Sequence, residues 1–130
     1  MSREIKYRAW IEKGCESKMG EATSINLDEG YINYIVCNEQ NEIEIIGLAY
    51  FDEYVLLQYT GLKDKNGKEI YEGDLVKILD NVNETICEVR FEYGGYILKN
   101  GDLREELLYL EERFMEVVGN IYENKNLLEE

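Results

Sequence analysis

The sequence contains no histidine and no proline. The missing histidine removes the commonest general base and the commonest transition-metal ligand. Triads of the Ser-His or Cys-His type are therefore excluded. Cysteine is sparse. Cys15, Cys37 and Cys87 are odd in number, widely spaced and without a C-x-x-C pair, which excludes a disulfide framework and points to free thiols in a reducing compartment. Long hydrophobic runs are also lacking: no apolar stretch approaches the roughly 20 residues that span a bilayer. The N-terminus, Met-Ser-Arg-Glu-Ile-Lys-Tyr-Arg, is charged throughout and has no signal-peptide core. A cytoplasmic protein with no membrane partner is expected.

Positive charge is short as well. The 14 Lys and Arg stand against 28 Asp and Glu, a net charge of −14. Such a field repels phosphate and works against generic nucleic-acid binding. It favours solubility and fast encounter with basic partners, and an ordered acidic patch would suit a basic protein by imitating a nucleic acid. Among aromatics the 3 Phe are outnumbered by 11 Tyr. Tyrosine suits half-buried sheet positions and contact surfaces, its ring being apolar and its tip wet.

What is present reads mainly as β structure in one domain of 130 residues. Ile5, Tyr7 and Ala9 alternate with polar or charged neighbours, a strand. Glu12 to Gly20 is polar with two Gly and reads as a loop. Tyr31–Cys37 and Ile43–Tyr50 are rich in β-branched and aromatic residues and form a predicted hairpin, with Gly47 as a candidate bulge. Tyr54 to Tyr59 is a short apolar strand.

Gln58 to Asp74 (QYTGLKDKNGKEIYEGD) centres on a turn. A two-residue Asn66-Gly67 loop would oppose Lys65 to Lys68 and Asp64 to Glu69, and opposed like charges destabilise a hairpin. A three-residue loop, Lys65-Asn66-Gly67, pairs Asp64 with Lys68, Lys63 with Glu69 and Leu62 with Ile70. It puts Asp64 at the first turn position and Gly67 at the left-handed bulge position. The three-residue loop is predicted.

Glu72-Gly73-Asp74 is a second turn, feeding the strand Leu75–Leu79. Residues 80–84 read as a polar loop and Thr85–Phe91 as a strand. Gly94-Gly95 closes a hairpin that would oppose Tyr93 to Tyr96. Leu103, Leu107, Leu110 and Phe114 recur at helical spacing, so a single helix is predicted over 102–114, with Asp102 as N-cap and Glu105 completing a capping box. Glu116–Tyr122 is a closing strand, and 124–130 a polar tail with room for one helical turn. The expectation is an SH3-like barrel in the C-terminal part (58–130, hairpin plus barrel with the helix inserted), preceded by an additional β region (1–57).

Three segments together resemble the YopX family: Glu4-Ile-Lys-Tyr-Arg-Ala-Trp10, the Gln58–Asp74 block, and Val117-Val-Gly-Asn-Ile-Tyr-Glu-Asn124. The chain departs from the family pattern at Ile11, where an acidic residue often stands, and at Lys125, where Pro often stands. The resemblance implies the SH3-like barrel, a phage or prophage origin and room for a homo-oligomer. It implies no activity and no catalytic residue.

Candidate chemistry is thin. Asp64-x-Asn66-Gly67-x-Glu69 has carboxylates at the wrong spacing for a calcium loop, with Lys65 and Lys68 adding positive charge. Glu72/Asp74 and Glu105/Glu106 are adjacent acids, and the second pair suits a helix N-terminus. Cys15 has only Lys13 and Lys18 nearby. No catalytic, metal or cofactor residues are assigned. The candidate interaction residues are Lys63, Lys65 and Lys68, the densest basic cluster, with Tyr59 and Tyr71. The expected function is that of a non-enzymatic accessory protein binding a host or phage protein through an acidic surface. The alternative is a nucleic-acid-associated regulator using the barrel and the Lys hairpin.

Overall fold

Segments with alternating or clustered apolar residues become strands, and so do polar segments with neither pattern. The computed structural model describes residues 4–79, 84–107 and 110–128. Residues 80–83, expected as a loop, 108–109, within the expected helix, and the terminal residues 1–3 and 129–130 lie outside the described residues. The chain divides into two compact units: residues 5–58, and the described residues from Tyr59 onward with Glu4. None of the described helices is long and apolar enough to cross a membrane.

In residues 5–58, β1 (Tyr7–Lys13), β2 (Glu16–Asn26), β3 (Tyr31–Cys37), β4 (Ile43–Tyr50) and the first half of β5 (Tyr54–Lys63) form an antiparallel sheet in the order β4-β3-β2-β1-β5. One face carries the core, Ala9, Ile11, Ile32, Tyr34 and Ala49, with Tyr54 and Leu56 packed against it. Of the stretch expected as a loop, Glu12 to Gly20, only Gly14 and Cys15 form a turn; residues 12–13 end β1 and residues 16–20 begin β2. β2 is laddered on both sides, to β1 and to β3, so its backbone groups are satisfied whatever its side chains prefer. Gly20 belongs in that ladder because a Cβ there would stand 2.8 Å from the Ile35 carbonyl oxygen. The bulge expected at Gly47 falls instead at Glu44, between the Val36–Ile45 and Cys37–Ile43 pairings. Gly47 instead lies beneath the Tyr34 ring, whose atoms a side chain would meet head-on.

In the unit from Tyr59 onward, the second half of β5 pairs with β6 (Glu69–Tyr71). β7 (Asp74–Leu79), β8 (Glu84–Glu92), β9 (Gly95–Asn100), β10 (Leu103–Glu106) and β11 (Met115–Asn120) form a second antiparallel sheet, ordered β10-β9-β8-β7-β11. Its core is Ile70, Val76, Cys87, Val89, Leu98, Leu107 and Met115. A 3-10 turn at Lys125–Leu128 packs on β8.

Three expectations are corrected here. Among the described residues the sheet is open, with β10 and β11 as its edges, and is not a closed SH3-like barrel. The helix over 102–114 is replaced by β10, paired with β9, and a 3-10 turn at Glu112–Phe114. Leu107 is buried, but Leu103 and Phe114 are exposed, so the four leucine-spaced positions do not share one face. The β8–β9 loop is Tyr93-Gly94, with Phe91, not Tyr93, opposite Tyr96. Both loop residues have positive φ, 52° and 84°, as a type I′ turn requires.

Candidate functional site

The hairpin loop has the predicted length. Lys63 pairs with Glu69, the Asp64 N–H donates to the Lys68 carbonyl (2.8 Å) and Gly67 takes φ 80°. The Leu62–Ile70 pairing is not formed. The register shifts between Tyr59 and Lys63, where Gly61 adopts φ 89° and the Thr60 hydroxyl donates to the Ile70 carbonyl at 2.8 Å.

Asp64 is 2 % exposed and does not ion-pair with Lys68 as the charge pattern suggested. One carboxylate oxygen accepts the N–H groups of Asn66 (2.8 Å) and Lys68 (2.9 Å), and the other accepts that of Val117 (2.9 Å). Burial alone would push this carboxyl up. The three N–H donors and the Lys68 ammonium outweigh it and hold the pKa below the ordinary 3.8. Both oxygens of this carboxylate are thus engaged by backbone N–H groups, one with two donors and one with one, so its place in the fold is that of a loop and strand acceptor. The Lys65 N–H donates to the Met115 carbonyl (2.9 Å), and its ammonium lies 3.8 Å from Glu116. The tip of the hairpin is thus bound to β11. Lys63, Lys65 and Lys68 are exposed, whereas Tyr59 and Tyr71 are buried with their rings 5.5 Å apart. The structure therefore separates the candidate interaction residues into three surface cations and a core pair.

The second turn is built the same way. Asp74 is fully buried and accepts the Tyr71 N–H at 2.8 Å. Gly73, at φ 83°, donates to the Val89 carbonyl and accepts from the Ile121 N–H, each at 2.9 Å. Asn120 caps the following turn, its side-chain oxygen accepting the N–H groups of Tyr122 and Glu123. A side chain at Gly119 would collide with Asn124. Of the Glu72/Asp74 pair, Asp74 thus serves as a buried acceptor for the turn's backbone. Glu105 and Glu106 are neighbours on a strand and project to opposite faces. Among the described residues no group of three or more Cys, Asp or Glu is arranged to hold a metal.

A groove of about 470 Å³ opens beside the β8–β9 turn, floored by Leu62, Ile97 and Leu107 and rimmed by Tyr93, Arg104 and Glu106. Its cation is already engaged. Arg104 binds Glu92 at 2.7 Å and stacks 5.1 Å from the Tyr93 ring centre. Arg90 bonds Glu88 (3.2 Å) and approaches Glu92 (3.6 Å).

The surface that sequence reasoning missed lies on residues 5–58. Between Lys18 and Lys63 there is no Lys or Arg, while acids continue through the interval, including Asp28, Glu29, Glu44 and Asp52. Leu27, Ile43, Ile46, Tyr50 and Phe51, all from that interval, are exposed. The signal was available as a gap in positive charge rather than as a motif.

The family description "YopX protein" matches residues 6–129 of the chain. The crystal structure of protein EF1440 from Enterococcus faecalis is 30 % identical and superposes with a TM-score of 0.68, covering 98 % of this chain and 100 % of that one. Protein yopX from Bacillus subtilis shares the fold at 23 % identity and a TM-score of 0.61, over 95 % and 98 % of the two chains. A cytoplasmic alanine–tRNA ligase of Drosophila melanogaster is 33 % identical over 93 residues, which span 62 % of this chain and only 9 % of the ligase. The family match runs almost end to end, and two of the three motif segments that suggested it meet in space: Asp64 with Val117, Gly73 with Ile121, and Asp74 with Asn120. The chain belongs to the YopX family.

Proposed function

We propose that this protein is a non-enzymatic accessory protein of phage or prophage origin that acts by binding a basic protein through an acidic surface. The observation that carries this reading is the interval from Lys18 to Lys63, in which acids and exposed apolar side chains occur without a single cation. Exposed apolar area rimmed by one sign of charge is the composition of an interaction surface. The acids that could have been mistaken for chemistry, Asp64 and Asp74, are committed to backbone N–H groups. The ligase match covers 9 % of that enzyme and contributes no activity to this reading.

The test is retention of host-lysate proteins on the immobilised full chain across a salt series. Basic proteins retained at moderate salt and released at high salt are expected; nothing retained would count against it. The rival reading, nucleic-acid binding through Lys63, Lys65 and Lys68, predicts a mobility shift with mixed-sequence DNA or RNA at low salt. It also predicts loss of function when these lysines are neutralised. Neither effect is expected, because the net charge of −14 opposes phosphate and Lys65, one of the three cations, already faces Glu116.

A further inference from the structure

The solvent face of β3 and β4 carries a continuous apolar strip. Ile46, Leu48 and Tyr50 follow one another on β4, opposite Ile35, Asn33 and Tyr31 on β3. The Tyr31 and Tyr50 rings meet edge to face at 6.1 Å. Phe51 extends the strip into the turn after β4, where a Cβ on Gly30 would touch it, and Leu27 belongs to that same neighbouring turn. Ile46 is 79 % exposed, Phe51 76 % and Leu27 89 %. Asp28 and Glu29 lie in the turn before β3, Glu44 on β4 and Asp52 in the turn after it, and none is ion-paired among the described residues; the Lys13 ammonium at the strip's edge is held by the Leu48 carbonyl.

The edge of β4 is guarded, although its face is open. The Lys13 ammonium donates to the Leu48 carbonyl at 2.8 Å, and the Glu53 carboxylate accepts the Tyr50 N–H at 2.9 Å. A partner strand would have to displace both, so an occupant is seated on the face rather than added to the edge. The distance from Ile46 to Tyr50 is about 14 Å at strand rise, which two to three turns of helix cover. An anionic membrane surface is repelled by a rim of this sign.

We infer that this face seats a cationic amphipathic helix of a partner protein, its apolar side on Ile46, Leu48, Tyr50 and Phe51 and its cations toward the rim. The inference rests on the acidic-surface reading above and names its location and the partner's chemistry.

The experiment uses the full chain and two synthetic peptides of helical periodicity, one of Leu and Lys, the other of Leu and Glu. Amide NMR should show the Leu/Lys peptide perturbing Tyr31, Ile35, Ile46, Tyr50 and Phe51, with the peptide gaining helix, and the Leu/Glu peptide leaving them unmoved. Ile46→Lys with Phe51→Lys should weaken binding at least about tenfold, because it sets cations against a cationic helix. Phe114→Lys, on the other unit, should not. Undiminished binding by the double variant, or perturbation confined elsewhere, overturns the site while leaving the acidic-surface reading intact. A peptide that adds to the β4 edge as a strand overturns it equally. Failure of the Leu/Lys peptide to bind overturns the site alone if basic lysate proteins are still retained, and both readings if they are not.

Discussion

The carboxylate of Asp64 accepts the backbone N–H of Val117 at 2.9 Å, across 53 residues of chain. One buried oxygen thereby joins a hairpin to the last strand, while its partner oxygen shapes the hairpin loop.

Removing that carboxylate leaves three backbone donors to find new partners in a site with little water. Asp64→Ala should cost about 3 kcal/mol at neutral pH. Asp64→Asn should cost about 2 kcal/mol, because one of its two side-chain positions becomes a donor facing a donor. Urea denaturation checks this: the midpoint should fall while the slope stays the same.

The same group sets a pH dependence. Its pKa is lowered in the folded protein from 3.8, so the unfolded chain takes up a proton first as pH falls. The stabilisation is complete above about pH 5 and is lost as pH falls through the folded value. Stability measured from pH 7 down to pH 3 should drop less steeply in Asp64→Asn than in the parent. Parallel curves would show that other carboxylates govern the acid limb.

Gly47 and Tyr34 form a steric pair. A methyl group at 47 would enter the Tyr34 ring, which is only 7 % exposed. Gly47→Ala should destabilise by about 1–3 kcal/mol, and trimming Tyr34 to Leu in the same chain should recover part of it. Additive losses in the double mutant would sink this pairing.

Tyr93 sits at φ 52° in the first loop position of a type I′ turn, where Asn is the favoured residue. Tyr93→Asn relieves backbone strain and forfeits the Arg104 stacking contact, worth about 0.5–1 kcal/mol at an exposed site. A net gain of about 0.5 kcal/mol is expected from thermal or urea melts. A loss would mean that the stacking outweighs the strain.

Two of the three thiols, Cys15 and Cys87, should separate by reactivity. Cys87 is fully buried, and burial, with Glu105 adding to it, pushes its pKa up to about 11. Cys15 is exposed in the turn between β1 and β2. Brief alkylation of the native protein at pH 8, followed by peptide mass spectrometry, should label Cys15 and spare Cys87. Equal labelling would indicate that the second sheet opens readily.

The hairpin loop was legible because charge complementarity and Gly67 both favoured one register. Yet the charges do not act as the pattern suggested, for Asp64 turns inward to N–H groups that only the fold supplies. The hairpin of β3 and β4 was equally legible, since both strands are rich in β-branched and aromatic residues. β2 was hidden because its backbone ladder, not its side chains, makes it a strand. The false helix had the opposite cause: Leu103, Leu107, Leu110 and Phe114 mimic a helical stripe, while pairing with β9 satisfies the backbone instead. The exposed strip on β3 and β4 escaped notice because apolar residues on a solvent face and on a core face look alike in sequence and differ only in what covers them.

The bond from Asp64 to Val117 also bears on synthesis. At roughly 5–20 residues per second, the ribosome takes roughly 3–10 s to travel from one partner to the other. Through that interval the loop-facing oxygen of Asp64 has its donors, Asn66 and Lys68, but the other oxygen lacks the Val117 N–H, and β7 has no β11 beside it. A chain that has not reached Val117 leaves that edge of β7 unfilled, so the second unit locks only once β11 has been made.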